Sequence, residues 1–162
     1  MVHASYTCDG DLYRVEMITD TSMIDADITT VGAVIDDTDP EVYRDNMVAS
    51  VYQDMAYCVY KNDVRIGFVY NRVEKYRYFG ASIWMKDTIG MIIAMKTMFE
   101  VCDNHKIELV PHEGGMKDFL SMATGTSIRT YHTRNRDAIV FLKEDLAPKG
   151  ERLFKYFGIV NG

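Results

Sequence analysis

The chain is short of everything that would divide it or carry it into a membrane. Only three prolines occur in 162 residues, and no Pro/Gly/Ser-rich tract, low-complexity run or internal repeat interrupts them, so a single domain over residues 1–162 is expected. No apolar run approaches the ~20 residues that span a bilayer, and Met1-Val2-His3-Ala4-Ser5 lacks the charged and apolar regions of a signal peptide. The expectation is a cytoplasmic protein that does not enter membranes. Basic charge is also scarce: Lys+Arg 18 against Asp+Glu 24 gives a net charge of −6, which argues against general nucleic-acid binding. The three cysteines, Cys8, Cys58 and Cys102, are too few and too far apart for a disulfide framework or a zinc site, and read as buried thiols. No metal site is expected from the four scattered histidines, and no Walker loop, Rossmann fingerprint or serine elbow is present.

What is present is a run of short elements. Leu12–Ile18 alternates as a first strand, Met23–Ile35 reads as a helix, and Asp39-Pro40-Glu41 opens a second helix to Gln53, with Asp39 as cap and Pro40 at the first helical position. Met55–Tyr60 and Val64–Val73 are rich in Val, Ile, Tyr and Phe around Lys61-Asn62-Asp63, a β-hairpin, and Tyr76–Met85 adds a third strand. The period then changes: Ile92, Met95, Phe99 and Cys102, broadened by Ile89, Ile93 and Met98, predict a central helix over 88–104. A short strand at 107–110, a helix at 116–123 closed by Gly125, a strand at 138–142 and a terminal helical turn at 152–157 complete the expectation. Met91, Met95 and Met98 lie on or beside the central stripe and read as core filling.

This order of elements resembles the GCN5-related N-acetyltransferase (GNAT) fold family over roughly residues 12 to 143. The resemblance rests on the hairpin Tyr57 to Val69, on Ile83-Trp84-Met85-Lys86-Asp87-Thr88-Ile89-Gly90-Met91 opening the central helix, and on Phe119-Leu120-Ser121-Met122-Ala123-Thr124-Gly125. It implies an α/β (α+β) fold with a mixed, mostly antiparallel central sheet flanked by helices. It also implies acetyl-CoA as co-substrate and transfer of its acetyl group to an amine. In the family, backbone N–H groups at the turn before the central helix wrap the cofactor diphosphate. The cofactor-binding residues this implies are Ile83, Trp84, Met85, Lys86, Thr88, Ile89, Gly90 and Met91. The family pattern of Gln or Arg, two residues, Gly, one residue, then Gly or Ala falls on Met85, Thr88 and Gly90, and only Gly90 matches it.

For catalysis, His112 and Glu113 follow the short strand near the place where the family's sheet splays, and His carries the pKa a base needs at neutral pH, with Glu108 and Glu74 as further candidates. The family's tyrosine position falls on Ser121. The departures at Met85, Thr88 and Ser121 keep a second reading open, a member with a lapsed cofactor site acting as a binding or structural component. Compact degenerate members of this kind look similar to proteins encoded by bacteriophages, with virion association or host takeover as the setting. A third reading is an inhibitor whose acidic first third mimics nucleic acid. Arg129, His132, Arg134 and Arg136 with Tyr131 form the one dense basic cluster, compatible with a phosphate, a nucleic acid, an acidic partner or a solvated strand and turn. The acids Glu16, Asp20, Asp25, Asp27, Asp36, Asp37, Asp39 and Glu41 are met by no Lys or Arg between Arg14 and Arg44, which would suit a cationic amine acceptor. A protein partner and an oligomer are both compatible with this composition.

Overall fold

The computed structural model describes residues 2–31, 40–73, 78–101, 106–109, 129–133 and 136–162. The elements are β1 (Val2–Cys8), β2 (Asp11–Met17), α1 (Ile24–Val31), α2 (Pro40–Tyr52), β3 (Ala56–Lys61), β4 (Val64–Val73), β5 (Tyr78–Met85), α3 (Thr88–Val101), β6 (Lys106–Leu109), β7 (Arg129–Thr133), β8 (Arg136–Leu142), α4 (Lys143–Phe157) and β9 (Val160–Asn161). The nine strands form one sheet in the order β7-β8-β6-β5-β4-β3-β2-β1-β9. Every neighbouring pair is antiparallel except β5 and β6. This is the mixed, mostly antiparallel α+β architecture expected. Among the described residues no helix is long and apolar enough to cross a membrane.

The middle of the sheet is buried on both faces, which explains why β3 reads as an unbroken apolar run. Tyr57 and Val59 point into a core shared with Ile92, Ile93, Met95 and Met98 of α3 and Leu153 of α4. Their neighbours Ala56 and Cys58 point the other way, into a second core with Ile24 of α1 and Met47 and Val51 of α2. Met95 and Met98 are buried and Met91 packs against them, so these methionines fill the core as their spacing indicated. Cys8 and Cys58 are buried thiols, and burial pushes both pKa values up from 9.0. Cys102 lies outside the described residues.

Tight turns set the register. Asn62 and Asp63 both have positive φ, 48° and 68°, in the two-residue link between β3 and β4, the conformation that continues the natural strand twist. Asn62 Oδ1 accepts from Leu12 N at 2.9 Å, and its Nδ2 donates to Asp11 at 2.7 Å, tying this turn to β2.

Two expectations need correction. A strand precedes the predicted first one: β1 pairs along β2 and is covered on its outer side by β9. β1 was hidden because its exposed and half-buried residues give a weak apolar signal. The terminal turn is a 15-residue helix, and Pro148 sits inside it rather than at a boundary. A proline there deletes one helical hydrogen bond, which is tolerated because Leu153, Phe154 and Phe157 pack on the α3 side of the sheet. The helix ends in a Schellman motif, with Gly158 N donating to Lys155 O at 3.2 Å and Ile159 N to Phe154 O at 2.8 Å around Gly158 at φ 69°. α1 is described from Ile24 to Val31. The rest of the stretch predicted to 35 lies outside the described residues, as do 102–105 of the predicted central helix and all of the predicted helix at 116–123.

Candidate functional site

The site begins at the end of β5, where the strand turns into α3. β5 pairs with β4 from Val73↔Phe79 to Gly67↔Met85, but with β6 only at Tyr78↔Lys106, Phe79↔Ile107 and Gly80↔Glu108. Beyond Gly80, the edge of residues 81–85 that faces β6 has no strand partner among the described residues. Peptide groups on such an edge can pair with an extended, amide-bearing ligand as they would with a strand.

The turn from β5 into α3 is two residues long. Lys86 N donates to Ile66 O at 2.9 Å, which ends the ladder, and Asp87 caps the helix. Its Oδ1 accepts from Gly90 N at 2.5 Å, while its carbonyl accepts from Met91 N at 3.0 Å. The other carboxylate oxygen accepts from Tyr13 OH at 3.2 Å and lies 3.5 Å from Lys61 Nζ, which also lies 3.6 Å from Asp11. Burial first, then the Asp87 charge, raises the Tyr13 pKa, so its hydroxyl stays protonated and donating. Electrostatic interaction with Tyr13 first, then with the Asp11 and Asp87 carboxylates, raises that of Lys61.

The eight residues expected to bind cofactor converge on this corner. Ile83 is buried in the α3-side core, Trp84 is half-buried on the opposite face and stacks on Phe68 at 6.1 Å, and Met85 is half-buried. Lys86 and Thr88 are exposed, Ile89 and Met91 half-buried, and Gly90 buried. Gly90 is glycine for packing reasons: a Cβ there would lie 2.8 Å from Ile66 Cδ1, 2.8 Å from Met85 Cγ and 2.9 Å from Asp87 Oδ1. The space is therefore filled by the protein's own atoms. The unpaired edge of β5 suits the amide-bearing arm of a CoA thioester. The helix end does not suit its diphosphate, because a carboxylate already takes the Gly90 N–H and the countercharge of Lys61.

The catalytic candidates His112, Glu113 and Ser121 lie outside the described residues, as does Glu74. Glu108 stands in β6, at the last β5–β6 pair. Of the basic cluster, Arg129, Tyr131 and His132 are in β7, the strand at one edge of the sheet, and Arg136 opens β8; Arg134 lies outside the described residues. Several acids expected to attract a cation have partners within the chain. Asp25 pairs with Arg44 at 3.0 Å, Glu16 with Arg14 at 3.4 Å, and Asp20 holds the Ser22 amide at 2.9 Å.

Sequence reading missed a second constellation. Asp27 of α1, only 2% exposed, receives both guanidinium ends of Arg65, at 2.6 and 2.9 Å, and the Tyr70 hydroxyl at 2.6 Å. Burial alone would lower the Arg65 pKa, but the hydrogen bonds and charge of Asp27 hold it above its ordinary value. This meeting depends on a β-bulge. The β3–β4 register shifts between Val59↔Gly67 and Tyr60↔Arg65, so Ile66 is the extra residue. Ile66 thereby faces the α3 core and Arg65 faces α1 with Phe68 and Tyr70. Strict alternation would have placed Arg65 on the other face, and no local residue pattern signals the shift.

Burial is also the leading cause of raised pKa values at Tyr13, Tyr57, Tyr60 and Tyr70, whose ordinary value is 10.0. The folded chain keeps these protons, and those of Cys8 and Cys58, at a pH where the unfolded chain has lost them. Stability from this source is therefore intact below about pH 9 and falls as pH rises through 10 and beyond. Melting temperature measured from pH 8 to 11 is expected to drop steadily above pH 9, and a flat profile would contradict it.

No family model matches the chain, and no curated protein matches it. Solved structures do. A nucleotide-linked sugar GNAT, FdhC without ligand, superposes with a TM-score of 0.59 at 8% identity, over 90% of this chain and 95% of that one. Arabidopsis thaliana Naa50, in complex with the bisubstrate analogue CoA-Ac-MVNAL, gives 0.53 at 14% identity, over 79% and 95%. The acetyltransferase yncA from Salmonella typhimurium, with acetyl-CoA, gives 0.53 at 14% identity, over 80% and 92%. Likeness at such identities speaks for architecture alone, and with the strand order already described, the fold of this chain is the GNAT fold.

Proposed function

We propose that the chain binds an acyl-CoA thioester, acetyl-CoA in the simplest case, and transfers the acyl group to an amine. The observation that carries this reading is the edge of β5 just before α3: the last described pair with β6 is Gly80↔Glu108, and residues 81–85 have no strand partner on that side among the described residues. That edge fits the two amides of the pantetheine arm, and a peptide N–H on it would polarise the thioester carbonyl. The amine attacks that carbonyl directly; the thiolate leaves, and the amine's proton passes to a base. His112 and Glu113 are the proposed bases, and Ser121 the proposed proton donor to the thiolate. The GNAT-fold structures with CoA or acetyl-CoA in their descriptions support the choice of donor.

Calorimetry with acetyl-CoA tests the reading. Micromolar binding, about −8 kcal/mol, is expected. Gly90 is a poor place for a blocking side chain, since the collisions there would disturb the core. Competition is the better control: S-acetylpantetheine, which presents the arm alone, is expected to displace acetyl-CoA. No heat at millimolar acetyl-CoA, with no thermal stabilisation, would end the acyltransferase reading.

A second reading draws on one specific observation. The Asp87 cap is what a lapsed site would contain, and the chain would then serve as a binding or structural component, phage virion or host-takeover proteins being one setting for it. The same calorimetry separates the two, because only the first requires acetyl-CoA to bind.

A further inference from the structure

We propose that Asp87 is a resident anion in the seat where a CoA diphosphate would rest, so that the protein holds its acyl donor by the pantetheine arm alone. The half concerning the arm rests on the acyl-donor reading above; the half concerning Asp87 stands without it. A helix N-terminus attracts anions through its free N–H groups and its dipole. Here one carboxylate oxygen takes the Gly90 N–H at 2.5 Å, while the other takes the Tyr13 hydroxyl at 3.2 Å and faces Lys61 at 3.5 Å. Both oxygens are thus engaged from three separate elements, β2, β3 and α3.

The carboxylate cannot easily be pushed aside. It is tethered at both oxygens, by the Gly90 N–H and by the Tyr13 hydroxyl, and 31% of its side chain is exposed, so its charge stands where a diphosphate would arrive. A diphosphate approaching this end of α3 meets a negative charge whose nearest cation, Lys61, is already shared with Asp11 at 3.6 Å. Repulsion between like charges a few ångströms apart opposes such an approach. The thioester arm carries no charge and meets no such obstacle along β5. The donor class this selects is an acyl thioester of a pantetheine, in which the diphosphate and nucleotide contribute nothing to affinity.

Two ligands and two variants decide the matter. Asp87→Ser keeps a side-chain oxygen for the Gly90 N–H while removing the charge; Asp87→Asn, nearly isosteric, serves if the serine variant folds poorly. Affinities for S-acetylpantetheine and acetyl-CoA are measured by calorimetry, with inorganic diphosphate as a third probe. In the unmodified protein the two thioesters are expected to bind within about threefold of each other, with no diphosphate binding at millimolar concentration. In Asp87→Ser, acetyl-CoA and inorganic diphosphate are each expected to gain about tenfold or more, with S-acetylpantetheine unchanged.

Acetyl-CoA binding the unmodified protein tenfold more tightly than S-acetylpantetheine would overturn the inference. So would an unchanged response to inorganic diphosphate in both variants. Failure of S-acetylpantetheine to bind any form would instead sink the acyl-donor reading, while the diphosphate arm still decides whether Asp87 is the resident anion.

Discussion

Asp27→Asn is expected to cost about 3 kcal/mol of stability, because it removes the negative partner of a half-buried guanidinium while leaving that cation in place. Asp27 is 2% exposed, and the Arg65 guanidinium, its side chain 21% exposed, lies over the Phe68 ring at 5.6 Å. The Tyr70 hydroxyl, which donates to Asp27 at 2.6 Å, would lose a charged acceptor for a neutral one. Urea denaturation followed by far-UV circular dichroism measures the difference. Asp27→Leu combined with Arg65→Met removes both charges, and it is expected to recover a large part of the loss, as well-packed apolar replacements of buried pairs do. Equal loss in the single and double variants would show that shape, rather than the unpaired charge, carries the effect. The pair adds a polar fastening to the apolar one that Ile24 and Val31 give α1 against the sheet.

Gly67→Ala is expected to cost about 3 kcal/mol, at the upper end of ordinary overpacking. A Cβ on Gly67 would sit well under 3.0 Å from the carbonyl oxygen of Trp84 and from Sδ and Cε of Met85. Met85 can swing, but the Trp84 carbonyl belongs to the β4–β5 ladder, where Phe68 pairs with Trp84 and Gly67 with Met85. Relief therefore requires the end of β5 to move away from β4. Thermal unfolding of Gly67→Ala should show the loss, and a melting temperature within a degree of the parent would show that the strands yield freely. Because the same strand end carries the proposed arm-binding edge, the variant is also expected to weaken S-acetylpantetheine.

The hairpin of β3 and β4 was legible because Val, Ile, Tyr and Phe crowd both sides of Asn62-Asp63, whose side chains tolerate positive φ. The start of α3 was legible too, since Asp87 and Thr88 precede an apolar stripe of helical period. What Asp87 does with its second oxygen was not. Tyr13 and Lys61 reach it from positions 74 and 26 residues away in the chain, and no spacing rule joins them. Ile66 reads in sequence as one more strand residue, although it is the bulge that turns Arg65 toward α1. Asp27 belongs to an acidic run that resembles a solvated face, yet it is the acid buried under the helix.

By itself the sequence determined the period and order of the main elements, because strand and helix patterns depend on neighbours two to four residues apart. Only the tertiary structure decided which charges meet. Arg65 finds Asp27 through a one-residue register shift, and Asp87 finds Tyr13 and Lys61 through strand pairing. Such contacts arise from long-range register, where displacement by a single residue moves a side chain to the opposite face.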